Sequence, residues 1–225
     1  MRLRFPKILL LILVAITLTA QEKSPELAGC TEGNQYLSPT DIFSVRVSVL
    51  RELGGRISDT GNVVTFTDAF NTHETIACFK MDTSQRWEDE TRGRKDYLGW
   101  FFSNFIQSDF EQRFPGARIE SASFISNLQS GALLVFNLLP GGSMFAARAT
   151  VFADSPPLVA KRGNLVFVRD GYVFILSIEL AEKVLERTAY DKTITEEDTL
   201  LRDRLLHLLD RMTFAVQAPA DAPSR

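Results

Sequence analysis

Apolar and polar positions alternate most densely from Asn164 to Leu180, NLVFVRDGYVFILSIEL. Leu165 and Phe167 point to one side and Val166 and Val168 to the other. After Asp170-Gly171, Tyr172, Phe174, Leu176 and Ile178 alternate with Val173 and Ile175. An Asp-Gly pair favours the primed turn of a tight hairpin. The stretch therefore predicts two antiparallel strands that are apolar on both faces, which places them in a sheet covered on both sides. Leu133 to Leu139 has the same two-sided character and is also expected to be central.

Elsewhere the pattern is one-sided. Phe43, Val45, Val47 and Val49 oppose Ser44, Arg46 and Ser48, so Ile42 to Leu50 reads as a half-exposed strand, expected at an edge and available to a partner. Val63 to Thr67 and Thr75 to Met81 read as a pair across the loop Asp68 to Glu74. Further strands are expected at 118–126, 131–139, 144–152, 164–169 and 172–180. Their separators are Asn127 to Ser130, Pro140-Gly141-Gly142, Asp154 to Pro157, Arg162-Gly163 and Asp170-Gly171. Such short links imply an antiparallel meander.

Helical spacing appears twice. Leu98, Phe101, Phe102, Phe105, Ile106 and Phe110 form a stripe on a helix from Lys95 to Phe114, stopped by Pro115-Gly116. Glu88-Asp89-Glu90 ahead of Arg92, Arg94 and Lys95 suits the start of that helix. Leu201, Leu205, Leu208, Leu209 and Met212 mark a final helix, with Thr195 and Asp198 as its capping pair. Thr213 to Ala215 adds a short extended segment. The expected fold is α+β: an α/β/α sandwich with a central antiparallel sheet of about seven to eight strands and one long helix on each face. Residues 21–40 read as a linker, 41–215 as the domain and 216–225 as a disordered tail.

The chain has 225 residues, 45% hydrophobic and 24% charged, which suits one domain plus a leader. A net charge of −3 predicts no general attraction for nucleic acid. Arg2, Arg4 and Lys7 precede the apolar run Ile8 to Leu18, and Ala20 is a cleavage position. Residues 1–20 thus have the layout of a secretory signal peptide, with an uncleaved anchor as the alternative. The expected location is periplasmic or secreted. In an oxidising compartment Cys30 and Cys78 suggest a disulfide. Leu27-Ala28-Gly29-Cys30 also resembles a lipobox, in which Cys30 carries a lipid instead. Membrane attachment is expected only through the leader or a lipidated Cys30.

No catalytic set assembles, and no metal or cofactor is expected. His207 lies between leucines on the final helix and reads as a packed or surface residue. Asp68, His73 and Glu74 carry ligand chemistry, but they lack a fixed ligand spacing and read as a hairpin loop. Nucleophilic catalysis needs a base near Cys78, which sits in a strand between Ala77 and Phe79 and reads instead as a bridged sulfur or an unbridged buried thiol. Gly141-Gly142-Ser143 joins two strands and opens no helix, so it is no phosphate loop. The aromatic stripe reads as core, with a ligand pocket as the alternative. Two basic groups remain: Arg92, Arg94 and Lys95 before the long helix, and Lys161, Arg162 and Arg169 around the hairpin. If they converge, they form a patch for an anionic partner; otherwise they are solvated surface.

The opening Tyr36-Leu37-Ser38-Pro39-Thr40-Asp41-Ile42-Phe43-Ser44-Val45, the hairpin Asn164 to Leu180 and the ending Leu205 to Phe214 resemble the PsbP-like fold family, including its DcrB-type exported bacterial members. The resemblance is one of pattern over residues 36 to 215. It implies an α/β/α sandwich and a binding or assembly role, here with a protein partner in the cell envelope. A small-ligand or lipid-binding domain and a hydrolase with an unrecognised site are the other expectations.

Overall fold

The computed structural model describes residues 27–70, 72–145 and 158–215. Two antiparallel sheets carry the chain. The smaller has β1 (Cys30–Glu32), β2 (Gln35–Leu37), β3 (Phe43–Arg46) and β11 (Met212–Phe214), in that order. The larger is built from β4 (Arg56–Asp59), β5 (Val63–Thr67), β6 (His73–Lys80), β7 (Arg118–Ile125), β8 (Ala132–Pro140), β9 (Val159–Arg169) and β10 (Tyr172–Glu179). Its order is β4-β5-β6-β10-β9-β8-β7. The β9–β10 hairpin pairs Arg169 with Tyr172 across Asp170 and Gly171, both at positive φ (50° and 76°), as a primed turn requires. It lies at the middle of the sheet, as its two apolar faces demand.

Each face has its own core. Phe66, Ile76, Leu134, Phe136, Leu165, Phe167, Phe174 and Leu176 pack beneath the final helix α5 (Ile194–Asp210) and the small sheet, through Tyr36, Phe43, Leu201, Leu205 and Leu208. Val135, Val166, Val168, Val173 and Ile175 meet Tyr97, Leu98, Phe101 and Phe102 of the long helical layer. That layer runs as α1 (Thr83–Arg92), α2 (Arg94–Phe101), a π-helical stretch Phe102–Gln107 and α3 (Ser108–Arg113). A short helix α4 (Ala181–Leu185) follows β10. The layering is the expected α/β/α sandwich, with the small sheet added on the α5 side.

Several local expectations change. The strand expected at Ile42 to Leu50 is no edge: over 43–46 it pairs with β2 on one side and β11 on the other. Part of the stretch read as a linker forms the β1–β2 hairpin, with Cys30 opposite Leu37. Arg162-Gly163 is not a turn but the interior of β9. Gly163 is there because α5 crosses close above it; a Cβ would sit 3.0 Å from Leu205 Cδ1 and 3.3 Å from Leu201 Cβ. Of the strand expected at 144–152, Met144 and Phe145 form a turn and 146–152 lie outside the described residues, as do the leader and the tail.

Phe105 departs from the expected stripe. The π-helical stretch inserts an extra residue into the helical turn, so the face rotates after Phe102. Phe105 is left 49% exposed and Gln107 turns inward. There Gln107 Oε1 accepts from Asn137 Nδ2 (2.6 Å), Asn137 Oδ1 from Asn164 Nδ2 (3.0 Å), and Asn164 Oδ1 from Ser177 Oγ (2.8 Å). This chain of amides crosses three strands and satisfies groups that burial would otherwise strand.

Candidate functional site

An open cleft of about 630 Å³ lies at one end of the large sheet, where the β9–β10 turn, the β7–β8 loop and α1 meet. Arg86, Arg94 and Arg169 stand among Asp89, Glu90 and Asp170, with Met81 and Val168 between them. Local rules build each wall. Asp82 caps α1 by accepting from Gln85 N at 2.7 Å, while the Gln85 side chain accepts from Asp82 N at 3.1 Å. This directs Arg86, Asp89 and Glu90 toward the cleft. Gly93, at φ 78°, breaks the helix and starts α2 with Arg94. The Arg94 guanidinium then forks onto Asp89 through Nε and Nη2, both at 2.9 Å, and donates from Nη1 to the Val168 carbonyl at 3.1 Å.

The remaining arginines are also placed. Arg86 donates to the Met81 carbonyl at 3.2 Å and to Thr83 Oγ1 at 3.3 Å. Arg169 donates to Gln129 Oε1 at 3.0 Å, and its guanidinium stands 4.3 Å from the centre of the Phe214 ring. The cleft therefore presents fixed donors and acceptors of both signs. It suits a polar chain segment better than an apolar ligand or a polyanion.

Two buried polar clusters lie away from the cleft. Lys161 is fully buried on the α5 face, with Nζ 2.5 Å from Glu120, 3.0 Å from Glu197 and 2.6 Å from Asp198. Glu120 reaches it from the bulge in β7, between Ile119 and Ser121. Burial lowers the ammonium's pKa, but the three carboxylates outweigh that and hold it above its ordinary value. Glu197 also accepts from Lys183 (2.6 Å) and Tyr190 (2.8 Å).

On the other face Glu179 accepts from Ser143 Oγ at 2.6 Å and Met144 N at 3.3 Å, with His73 Nδ1 3.3 Å away. Burial pushes the Glu179 carboxyl up; hydrogen bonds from His73 and Ser143 and the charge of Arg162 pull it below its ordinary range. Burial holds His73 low, so the neutral ring donates its Nδ1 proton to the carboxylate. Ser143 and His73 both point at the acid and not at each other. The arrangement ties the turn after β8 to the end of the sheet.

The basic residues singled out in the sequence do not converge. Arg94 and Arg169 share the cleft. Arg92 pairs with Glu88 and lies over Trp100, whose ring meets exposed Phe105 edge-on. Lys95 is exposed at the start of α2. Lys161 and Arg162 sit roughly 23–26 Å along β9 from Arg169 and, being adjacent, face opposite sides of the sheet. Arg162 Nε is buried with no hydrogen-bond partner among the described residues, and the guanidinium lies 5.7 Å from the Phe110 ring centre.

Cys30 is exposed and Cys78 buried; both are free thiols, so the expected Cys30–Cys78 bridge is not formed in the structure. Burial pushes the Cys78 thiol up to about 12. His73 belongs to β6 and not to a loop, and His207 is exposed on α5. Arg86, Glu90, Gln129 and Asp170 went unnoticed as site residues. Only the turn pair Asp170-Gly171 and the Asp82–Gln85 capping spacing carried a signal for them.

No protein-family model matches the chain, and no curated protein matches it in sequence. Solved structures match it in fold. Cyanobacterial PsbP (CyanoP) from Synechocystis sp. PCC 6803 superposes at TM-score 0.50 with 10% identity, over 86% of this chain and 96% of that one. The Saccharomyces cerevisiae Ran-binding protein Mog1p gives TM-score 0.45 with 6% identity, over 82% and 96%. A Bacteroides thetaiotaomicron protein gives TM-score 0.44 with 9% identity, over 83% and 50%. With its antiparallel sheet between two covering layers and its likeness to CyanoP, this chain has a PsbP-like fold.

Proposed function

We propose that the chain is an exported, non-catalytic binding domain of the cell envelope, which holds a segment of a protein partner in the cleft at the β9–β10 turn. The observation that carries this reading is the cleft's mixed chemistry. Three arginines and three carboxylates surround an opening of about 630 Å³, and all but Glu90 are preset by hydrogen bonds. The space between the long helix and the sheet, where an apolar ligand would go, is filled by Tyr97, Leu98, Phe101 and Phe102. Export rests on the basic and apolar leader of residues 1–20.

The test is capture of a partner from envelope extract by the purified full chain. The partner is recovered by the wild type and by Asp203→Lys on the exposed side of α5. It is reduced about tenfold by Glu90→Lys combined with Arg86→Glu, which inverts both signs in the cleft. Equal recovery by all three proteins contradicts the assignment. The intact mass of the exported protein is expected to begin at Gln21.

A further inference from the structure

The end of the large sheet opposite the cleft has a different surface. β6 runs from this end at His73 to the cleft at Met81. Three turns meet here, and each raises large apolar side chains into solvent: Leu50 (60% exposed) and Leu53 (48%) beside the 3-10 turn, Phe70 (56%) before β6, and Met144 (58%) after β8. The turns are neighbours. Ala69 N donates to the Leu53 carbonyl, while Glu179 ties Met144 N and Ser143 to His73 at the foot of β6.

The backbone at these tips is closed on itself. Leu53 N and Gly55 N donate to the Leu50 carbonyl, and Gly54 N to that of Arg51. Asp68 Oδ1 accepts from Phe70 N (2.8 Å) and Thr72 N (3.0 Å). Met144 N and Phe145 N donate to Glu179 and Ser143. With these amides already paired, the apolar tips give up fewer hydrogen bonds to water on entering a lipid interface. Arg51 and Arg56, both exposed, flank the Leu50 and Leu53 turn, with exposed Glu52 between them.

We propose that this end of the sheet is a membrane-docking surface. Leu50, Leu53, Phe70 and Met144 enter the headgroup–acyl boundary of a bilayer, and Arg51 and Arg56 contact anionic headgroups. The cleft then faces away from the bilayer, open to a partner.

The test is Phe70→Trp in the full chain, read by tryptophan emission against the wild type, which supplies the background of Trp87 and Trp100. Vesicles contain phosphatidylcholine with phosphatidylglycerol, with and without brominated acyl chains. The local signal at residue 70 separates this contact from any made by the leader. The expected result is a solvent-like indole without vesicles, a blue shift on adding them, and quenching by brominated lipid of roughly half the added emission. Leu53→Asp in the same background abolishes the quenching, and phosphatidylcholine alone weakens it. Leu50→Trp repeats the measurement should the change at 70 disturb its turn. Emission that is already buried before vesicles are added means another part of the chain covers the surface, and overturns the proposal. So does an indole that brominated lipid leaves unquenched.

Discussion

Lys161 is the residue on which most charge converges. Three carboxylates reach one ammonium that is sealed from water. Replacing the lysine leaves those acids crowded and unpaired, so Lys161→Met is expected to destabilise the fold by ~3–5 kcal/mol, read by urea denaturation. The Glu179–His73 pair makes stability depend on pH. His73 is held below its ordinary 6.5, so below that pH the unfolded chain binds a proton that the folded chain refuses, and stability falls with acid. Glu179 is held below its ordinary 4.5; its contribution is present above that value and is lost as pH falls through the folded one. Denaturation midpoints are expected to decline in both windows. His73→Gln flattens the first decline, while the second persists through Ser143 and Arg162 but shrinks with the loss of the His73 hydrogen bond. The thiols give a third reading at this scale. With Cys78 buried and pushed up to about 12, alkylation of the native, unreduced protein near neutral pH labels Cys30 alone, and unfolding exposes the other. No label on either, without reductant, reveals a bridge.

At the scale of the element, periodicity located the long helix but misplaced one of its residues. Phe102 and Phe105 read as equivalent in the sequence, yet one is 1% and the other 49% exposed. The π-helical stretch that separates them is fixed by Gln107 reaching the sheet amides, a tertiary interaction with no local signature. Phe102→Ala is expected to cost ~3–5 kcal/mol, and Phe105→Ala under ~1 kcal/mol. Equal costs would refute the register. The cap of α5 was displaced for a simpler reason. Thr193 and Glu196 satisfy the same box rule as Thr195 and Asp198, two residues earlier. Thr193→Ala is expected to cost ~1 kcal/mol; Thr195→Ala is close to neutral. Gly163 shows the converse ambiguity. A glycine that admits a crossing helix looks, in one dimension, like a glycine that turns the chain.

For the whole molecule, the layering was legible because two-faced apolar strands need cover on both sides and the chain carries helices to supply it. The second sheet was not. Its strands are three or four residues long and draw their partners from opposite ends of the chain, as when Phe43 pairs with Phe214. The candidate cleft was legible only in part. Arg94 and Arg169 stood out as charges, but Glu90, Gln129 and Asp170 join them only once α1, the β7–β8 loop and the β9–β10 turn meet. The same folding sets cleft and apolar turns at opposite ends of one sheet, so the proposed partner binding and the proposed membrane docking are expected to be separable by mutation.

Site-specific photo-crosslinking in living cells tests the central claim most directly. A photoreactive residue in place of Glu90, within the cleft, is expected to yield a discrete protein adduct, and one in place of Asp203, on the outer side of α5, is expected to yield none. An adduct from position 203 with none from position 90 would contradict the account.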